Sequence, residues 1–353
     1  MNTIGERLRL TTFGESHGAA IGGVLDGYPS GIHIDFDYVA DEMRRRRPGQ
    51  SAISTGRCED DEVEFLSGIM DGISTGAPIA FIIRNTDISS SDYDDMKELF
   101  RPSHADYTYQ MKYGIRDWRG GGRASARVTA PICVAGALAR LALEERVSDL
   151  DIYAFTSQIG DIATDPADEM TFNREDSEAS PVRCPDAEKA AEMEDFIWQL
   201  KQEGDSTGGI VTCIIRGCPA GVGEPVFGKL HARLGAAMLG INAAKGFEYG
   251  DGFNCAAMRG SECNDPFVIE EERITTASNH SGGIQGGISN GQPIRFRVAF
   301  KPTPTIALPQ QTVTTDGIPT TLEAAGRHDP CVVPRAVPIV ENLAALVLAD
   351  FLL

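Results

Sequence analysis

The chain has 353 residues, with 51 acidic and 32 basic side chains and a formal net charge of −19. That balance argues against a general nucleic-acid-binding protein, which needs a basic face. The chain has no uninterrupted run of about 18 apolar residues, and its N-terminal segment lacks the apolar stretch of a secretory signal. We therefore expect a cytoplasmic protein with no membrane partner.

Hydrophobic periodicity, taken in chain order, predicts an α+β fold. The predicted strands are 23–25, 78–83, 209–215 and 294–300. The predicted helices are 129–143, 185–202, 230–241 (stopped by Gly246) and 338–353. The first and last of these helices are apolar nearly all round, which predicts burial against sheets. Strands and helices do not alternate regularly, so antiparallel sheets are favoured over a doubly wound parallel sheet.

Three segments of the first half recur in the same order in the second half. The pairs are 25–32 with 215–222, 72–81 with 287–296, and 122–143 with 326–353. Ordered repetition indicates an internal duplication. We expect one domain over 1–353, with echoing halves at about 10–145 and 205–353 and an acidic connection at about 150–205. A site shared by both halves follows from this arrangement.

Charge is distributed unevenly along the chain. Residues 151–206 contain fifteen acids and four bases, whereas 44–47 are four consecutive arginines and 101–127 contain six basic residues against two acids. A basic pocket inside an acidic protein is typical of a site for small anions. Four consecutive arginines cannot all face one ligand, so we expect at most two of them to bind it.

The segment Gly14-Glu-Ser-His-Gly18 matches the G-x-S-x-G pattern of a serine-hydrolase nucleophile elbow. That elbow needs a helix after the serine, but the following residues predict a strand. The pattern therefore favours His17 as an acid or base in a tight turn. A serine hydrolase that uses Ser16 is the alternative enzyme class, and it predicts labelling by fluorophosphonates.

A second glycine-rich segment, Arg119-Gly-Gly-Gly-Arg-Ala-Ser-Ala-Arg127, leads into a predicted helix. Arginines, a serine and free backbone amides at a helix N-terminus are typical of a phosphate or carboxylate site. His104 lies just upstream, and the segments 278–287 and 301–305 add amides, hydroxyls and an ammonium. The eight cysteines include no C-x-x-C, and His328 with Cys331 lacks a second ligand pair, so we expect no metal.

Two histidines, many arginines and several anion loops indicate proton transfer on a small polyanionic substrate. Loss of phosphate and a phosphate-bearing organic cofactor suit the same residues. A flavin- or anion-binding module without turnover is the non-enzymatic alternative.

Six motifs together resemble the chorismate synthase family, in order and from about Asn2 to Leu353. They are Gly14-Glu-Ser-His-Gly18, the Arg-Arg-Arg-Pro-Gly49 segment, Arg101-Pro-Ser-His-Ala-Asp-Tyr107, the 119–127 segment, Ile241-Asn-Ala-Ala-Lys-Gly246 and Gly326-Arg-His-Asp-Pro330. The resemblance implies a β-α-β sandwich and usually a homotetramer. It also implies 1,4-anti elimination of phosphate from 5-enolpyruvylshikimate 3-phosphate to give chorismate, the last step of the shikimate pathway. The reaction requires reduced FMN although it has no net redox change.

The resemblance implies a role for individual positions. His17 would be the general acid on the departing phosphate, His104 would control the proton state of the reduced flavin, and Asp329 would help relay the proton from C6. The positions implied for FMN are Arg123, Ala124, Ser125, Asn242, Ala243, Gly286, Lys301, Pro302, Thr303, Pro304, Thr305 and Arg327.

Arg46, with Arg47 and Arg127, is implied for substrate or NADPH. A second family arginine aligns with Ala52, where Arg57 would replace the charge. No insertion suggests a nicotinamide pocket, so we expect an external flavin reductase, with NADPH only as the indirect reductant.

Overall fold

The computed structural model describes residues 1–49, 53, 60–86, 96–323 and 329–353. The α-helices are α1 Phe36–Arg46, α2 Asp106–Tyr113, α3 Ala130–Glu144, α4 Arg174–Glu178, α5 Ala187–Glu203, α6 Leu230–Met238, α7 Gly260–Cys263 and α8 Val333–Leu352. The strands are β1 Thr3–Ile4, β2 Arg9–Gly14, β3 Ala20–Asp26, β4 Val63–Phe65, β5 Ile69–Met70, β6 Ile73–Ser74, β7 Ile79–Arg84, β8 Asp151–Ile159, β9 Ile162–Ala163, β10 Gly209–Arg216, β11 Ala244–Tyr249, β12 Phe267–Glu270, β13 Arg273–Thr276, β14 Ile284–Gln285, β15 Ile288–Ser289, β16 Ile294–Phe300, β17 Gln310–Val313 and β18 Pro319–Leu322.

Two five-stranded antiparallel sheets enclose a helical layer. Their strand orders are β1-β2-β3-β7-β4 and β11-β16-β10-β8-β9. Helix α3 packs on the first sheet, α8 packs on the second, and the two helices pack on each other. Nearly every residue of α3 and α8 is buried. The predicted α+β fold, with antiparallel sheets around buried helices, is confirmed.

Helix α3 also has the composition of a membrane span. Residues 126–144 have a mean hydropathy of 1.4, but 72% of that window is buried inside the protein. By length and composition alone this is weak evidence for a span, because the core helix of a sandwich has the same properties.

The two sheets repeat one another in detail. The order β2-β3-β7-β4 corresponds to β8-β10-β16-β11. In the first half, Ser74 Oγ donates to Pro29 O at 2.7 Å and accepts from Ile32 N at 2.9 Å. In the second half, Ser289 Oγ donates to the oxygen of Pro219 at 2.5 Å and accepts from the nitrogen of Val222 at 2.9 Å. The same serine therefore secures the same turn in each half, while the single domain and its boundaries stay predictions.

Two predicted helix ends are wrong. The third predicted helix ends at Met238 and not near Gly246, because Gly246 lies in β11. The last helix begins at Val333, five residues before the prediction, with Pro338 inside it. A proline has no N–H for the carbonyl four residues earlier. Here the Pro334 carbonyl accepts from Arg183 Nη1 at 2.6 Å, so the missing bond is replaced.

A buried carboxylate, Glu341 on α8, joins the helical layer to the second sheet. Its side chain has no exposed surface and accepts from Arg45 Nη1 at 2.7 Å and from Ala154 N at 2.8 Å. Arg140 and Arg174 complete its ion pairs. Burial alone would raise the pKa of Glu341, but the three guanidiniums hold it well below the ordinary value.

We predict that Glu341→Ala lowers the unfolding free energy by about 3–5 kcal/mol near pH 7, because it leaves buried guanidiniums without their carboxylate. Since the folded-state pKa of Glu341 is depressed, its contribution is present above about pH 4.3 and is lost as the pH falls further. Urea unfolding of both proteins from pH 7 to pH 3 measures this. Exposed Glu144→Ala is the control, and an equal effect of the two variants would contradict the prediction.

Candidate functional site

Predicted site residues from both halves meet at one end of the two sheets. At this end Ala20 pairs with Arg84 in the first sheet, and Gly209 pairs with Phe300 in the second. Asn242 Nδ2 donates to Ala124 O at 2.8 Å and so joins the loop before β11 to the glycine-rich segment. The expected site between the halves therefore has a structural basis.

The turn that carries His17 connects two strands. Strand β2 ends at Gly14 and β3 begins at Ala20, so no helix follows Ser16. Ser16 is fully buried, and its Oγ lies 3.1 Å from His17 Nδ1. Asn85 Nδ2 holds the turn by donating to Glu15 O at 3.0 Å and Gly18 O at 2.8 Å. This strand–turn–strand geometry is not a nucleophile elbow, which removes the structural basis of the serine-hydrolase alternative.

The turn Gly120–Gly122 lies against both histidines. Its three φ angles are +63°, +109° and +53°, in the region that glycine adopts most readily. A Cβ on Gly120 would lie 2.0 Å from His17 Cε1, and one on Gly121 would lie 3.1 Å from His104 Nε2. The absence of two side chains is thus what lets both imidazoles occupy one site.

The surroundings of His104 favour the uncharged imidazole at neutral pH. Burial lowers its pKa, and Arg101 and Lys301 lower it further, against the opposing effect of Asp106. Its Nδ1 lies 2.9 Å from Asp106 Oδ1. Asp106 was missed from the sequence, although it belongs to the motif 101–107.

The arginines predicted to bind substrate or NADPH do not form one group. Arg46 and Arg127 are both buried and both pair with Asp61, whose pKa is lowered by these arginines against its burial. Arg127 Nε also donates to Asn85 Oδ1 at 2.9 Å, so this cluster supports the histidine turn. Both side chains lie inside the protein and not at its surface. Their predicted role in binding substrate or NADPH stays a prediction.

Arg47 is separate from that cluster. It is about one third exposed and lines a cavity of about 310 Å³ with Arg183 and Arg335. Ala52, Arg57 and Arg327 lie outside the described residues.

Most of the positions implied for FMN are close together. Arg123 donates to oxygens of Gly14, Asn2 and Thr12, all of them uncharged. Ser125 Oγ caps the 3-10 helix Ala126–Thr129 by accepting from the Arg127 N–H. This short 3-10 helix leads directly into α3. Ala243 has a φ of +68°, and its carbonyl accepts from Lys301 N at 3.0 Å.

The segment 301–305 has one buried side-chain polar atom without a hydrogen-bond partner. Thr303 Oγ1 is buried and has no hydrogen bond, while its carbonyl accepts from Ser206 Oγ at 2.8 Å. An orphaned hydroxyl beside Lys301 and the uncharged partners of Arg123 suit an anionic ligand with hydrogen-bonding groups. These residues therefore fit a flavin phosphate and ring.

Gly286 does not join this group within the chain. It lies in the β14–β15 turn, next to Gly287, whose carbonyl accepts from Leu230 N at the start of α6. Ser289 in β15 bonds to Pro219 just after the end of β10, whereas Gly209 begins β10 and pairs with Phe300. The length of the sheet therefore separates Gly286 from Lys301.

Asp329 lies in the loop before α8 and pairs with Arg335 on the first turn of that helix. Both side chains are mostly buried. The adjacent Pro330 carbonyl accepts from Thr207 N at 2.9 Å, which anchors the loop to the second sheet. The sequence analysis did not identify Arg335 as a partner of Asp329. A separation of six residues indicates a contact only once it is known that the helix begins at Val333, between the two residues.

Comparisons with known proteins agree with the geometry. The family model described as chorismate synthase matches residues 8–353. The chain belongs to the chorismate synthase family. Chorismate synthase of Phocaeicola vulgatus is 58% identical over 352 residues, covering 100% of this chain and 98% of that protein. Chorismate synthase of Bacteroides fragilis is 59% identical with the same coverages.

A solved structure of a chorismate synthase has the same fold. It superposes with a TM-score of 0.77 at 31% identity and covers 99% of this chain and 92% of its own. In the present chain, the described residues contain no group of three His, Cys, Asp or Glu side chains that could hold a metal ion.

We predict that Gly120→Ala destabilises the protein more than Gly114→Ala. Both glycines have positive φ, so alanine adds about 1–2 kcal/mol of backbone strain at each. Only residue 120 adds an overlap with His17, since a Cβ at 114 meets nothing within 4 Å. Urea unfolding measures the difference, and the His17 imidazole ¹⁵N signals should shift in Gly120→Ala alone. Equal stability of the two variants with unchanged His17 signals would contradict the packing.

Proposed function

We propose that this chain eliminates phosphate from 5-enolpyruvylshikimate 3-phosphate in a 1,4-anti reaction, as a carbon–oxygen lyase of aromatic amino-acid biosynthesis that requires reduced FMN. The observation that carries the proposal is the packing of His17 and His104 on one glycine turn. Two imidazoles at one site suit a reaction in which one proton reaches a leaving phosphate and another leaves the ring. The family membership supports the same chemistry.

The residues that would hold FMN come from both halves. Arg123, Ser125 and Asn242 border the glycine segment, and Lys301 to Thr305 continue from the end of β16. When bound in reduced form, the flavin supplies electron density to the ring during C–O cleavage and recovers it. Most of these residues are partly buried, so a bound flavin would be partly shielded from water, which strengthens its charge interactions with Arg123 and Lys301.

The chain's own groups would manage the protons and the charge. His17 would protonate the departing phosphate, and Asp329, held by Arg335, would relay the proton removed from C6. Uncharged His104 would set the proton state of the flavin pyrimidine edge. Of the arginines at 44–47, we assign Arg47 to the anionic substrate, because it lines the same cavity as Arg335, the partner of Asp329.

The same proposal includes a homotetramer in the cytoplasm and an outside flavin reductase. Phe267, Ile269 and Ile274 are each more than two-thirds exposed and share one face of the β12–β13 hairpin. An apolar face of this kind supports contact with a second copy. The outside reductase is carried over from the sequence, in which no inserted segment suggests a nicotinamide pocket.

We predict phosphate release from 5-enolpyruvylshikimate 3-phosphate under anaerobic conditions when FMN is reduced with dithionite. NADPH with oxidised FMN alone should give little turnover until a flavin reductase is added. Inorganic phosphate and chorismate are measured in each reaction. FMN binding without any phosphate release would favour the non-catalytic binding module, and full activity with NADPH and FMN alone would contradict the need for an outside reductase.

We predict that His17→Ala and His104→Ala each slow turnover by ~10²–10⁴-fold, the usual loss for a general acid or base. His33→Ala is the matched control, since His33 is exposed beside β6 at the opposite end of the first sheet. Steady-state rates with excess reduced FMN measure the effect. Unchanged rates in both site variants would remove both imidazoles from the proton-transfer steps.

A further inference from the structure

Asp106 is the most heavily contacted carboxylate at the candidate site. It begins α2, and its side chain is 3% exposed. One oxygen accepts from Arg101 Nε and the other from Arg101 Nη2, each at 2.7 Å, and Arg101 N donates at 3.0 Å. His104 Nδ1 lies 2.9 Å away and Arg116 Nη1 lies 3.0 Å away.

These contacts keep Asp106 ionised at every physiological pH. Burial alone would raise its pKa, but hydrogen bonds from Arg101 and His104 hold the pKa far below the ordinary value. An ionised carboxylate can only accept hydrogen bonds. The proton of neutral His104 must therefore be on Nδ1, which leaves a free lone pair on Nε2.

The two arginines also limit what Asp106 does to the charge of His104. A lone carboxylate beside a histidine would stabilise the imidazolium and raise its pKa. Here two guanidiniums offset that single negative charge, and Lys301 approaches from the second half. The carboxylate thus orients the ring without charging it.

We propose that Asp106 is a positioning residue that fixes His104 as the Nδ1–H tautomer, with Nε2 as a proton acceptor at the Gly120–Gly122 turn. The placement of Nε2 follows from Gly121, where a Cβ would lie 3.1 Å from that atom. The identity of the group that donates a proton to Nε2 rests on the proposed function. The tautomer and the charge of His104 do not depend on it.

The tautomer is measured directly in the flavin-free protein. Uniformly ¹⁵N-histidine-labelled full-length chain gives signals for six histidines, and His104→Gln assigns the one of interest. We expect a protonated Nδ1, an unprotonated Nε2 and a pKa below the ordinary value of about 6.5. A protonated Nε2, or an imidazolium at pH 7.5, would overturn the proposal whatever the protein catalyses.

Asp106→Asn tests the positioning role. The Arg101 N and Nε groups that donate to Oδ2 would hold the amide oxygen, so the amide N–H₂ would take the place of Oδ1, face His104 and reverse the tautomer, as at other histidine–carboxylate pairs. We expect Nε2 to become protonated and kcat to fall by ~10²-fold or more, with KM little changed. Asp251→Asn is the matched control, because Asp251 Oδ2 lies 2.6 Å from His280 Nδ1 at the opposite end of the second sheet. It should change the His280 signals and leave those of His104 and the turnover unchanged.

A further variant covers the case in which Asp106→Asn does not fold. Lys301→Gln removes a positive charge near His104 from the partly exposed end of β16, so the measured pKa of His104 should rise while its tautomer stays the same. An unchanged pKa would contradict the charge balance.

A reversed tautomer with wild-type kcat in Asp106→Asn would contradict the positioning role. Absence of turnover in the wild type, with the tautomer as expected, would instead count against the proposed function alone.

Discussion

The close contact of two imidazoles with one glycine turn is the constraint on which the site depends. His17 reaches the turn from the β2–β3 connection, and His104 reaches it from the segment before α2. A side chain at residue 120 would occupy the space of the His17 ring, and one at residue 121 would press against the His104 ring. Arg123 directly follows this turn in the chain, so one short segment joins the two candidate proton-transfer groups to a candidate anion-binding group.

Around this turn the arginines divide into two physical classes. Arg46, Arg101 and Arg127 are buried and paired with Asp61 or Asp106, and they maintain the shape of the site. Arg123 instead donates to uncharged oxygens, which leaves its charge available to a ligand. A protein with a net charge of −19 can therefore present a basic pocket, because only some of its guanidiniums are neutralised from within.

The sequence predicted the fold class and eight elements, the strands β3, β7, β10 and β16 and the helices α3, α5, α6 and α8, since alternation in β16 and helical spacing in α5 report burial directly. It failed where tertiary contacts override local signals. Gly246 signals a helix stop but lies in a strand, and Pro338 signals a helix start but lies inside α8, where Arg183 replaces its missing partner.

Site residues follow the same pattern. His17, His104 and Arg123 were predicted from motifs, and the structure places both histidines against the Gly120–Gly122 turn that Arg123 follows. Asp61 and Arg335 were not found, since their roles depend on partners distant in space and sequence. Gly286 shows the converse, because the motif is present but the chain places it at the other end of the sheet.

The central claim is that this site is built for a reduced flavin next to a triply anionic substrate. The most direct measurement is an anaerobic equilibrium titration of the purified chain with chemically reduced FMN, with and without 5-enolpyruvylshikimate 3-phosphate. We expect saturable binding that tightens when the substrate is present and weakens in Arg123→Gln. No binding of reduced FMN, even with the substrate present, would contradict the account.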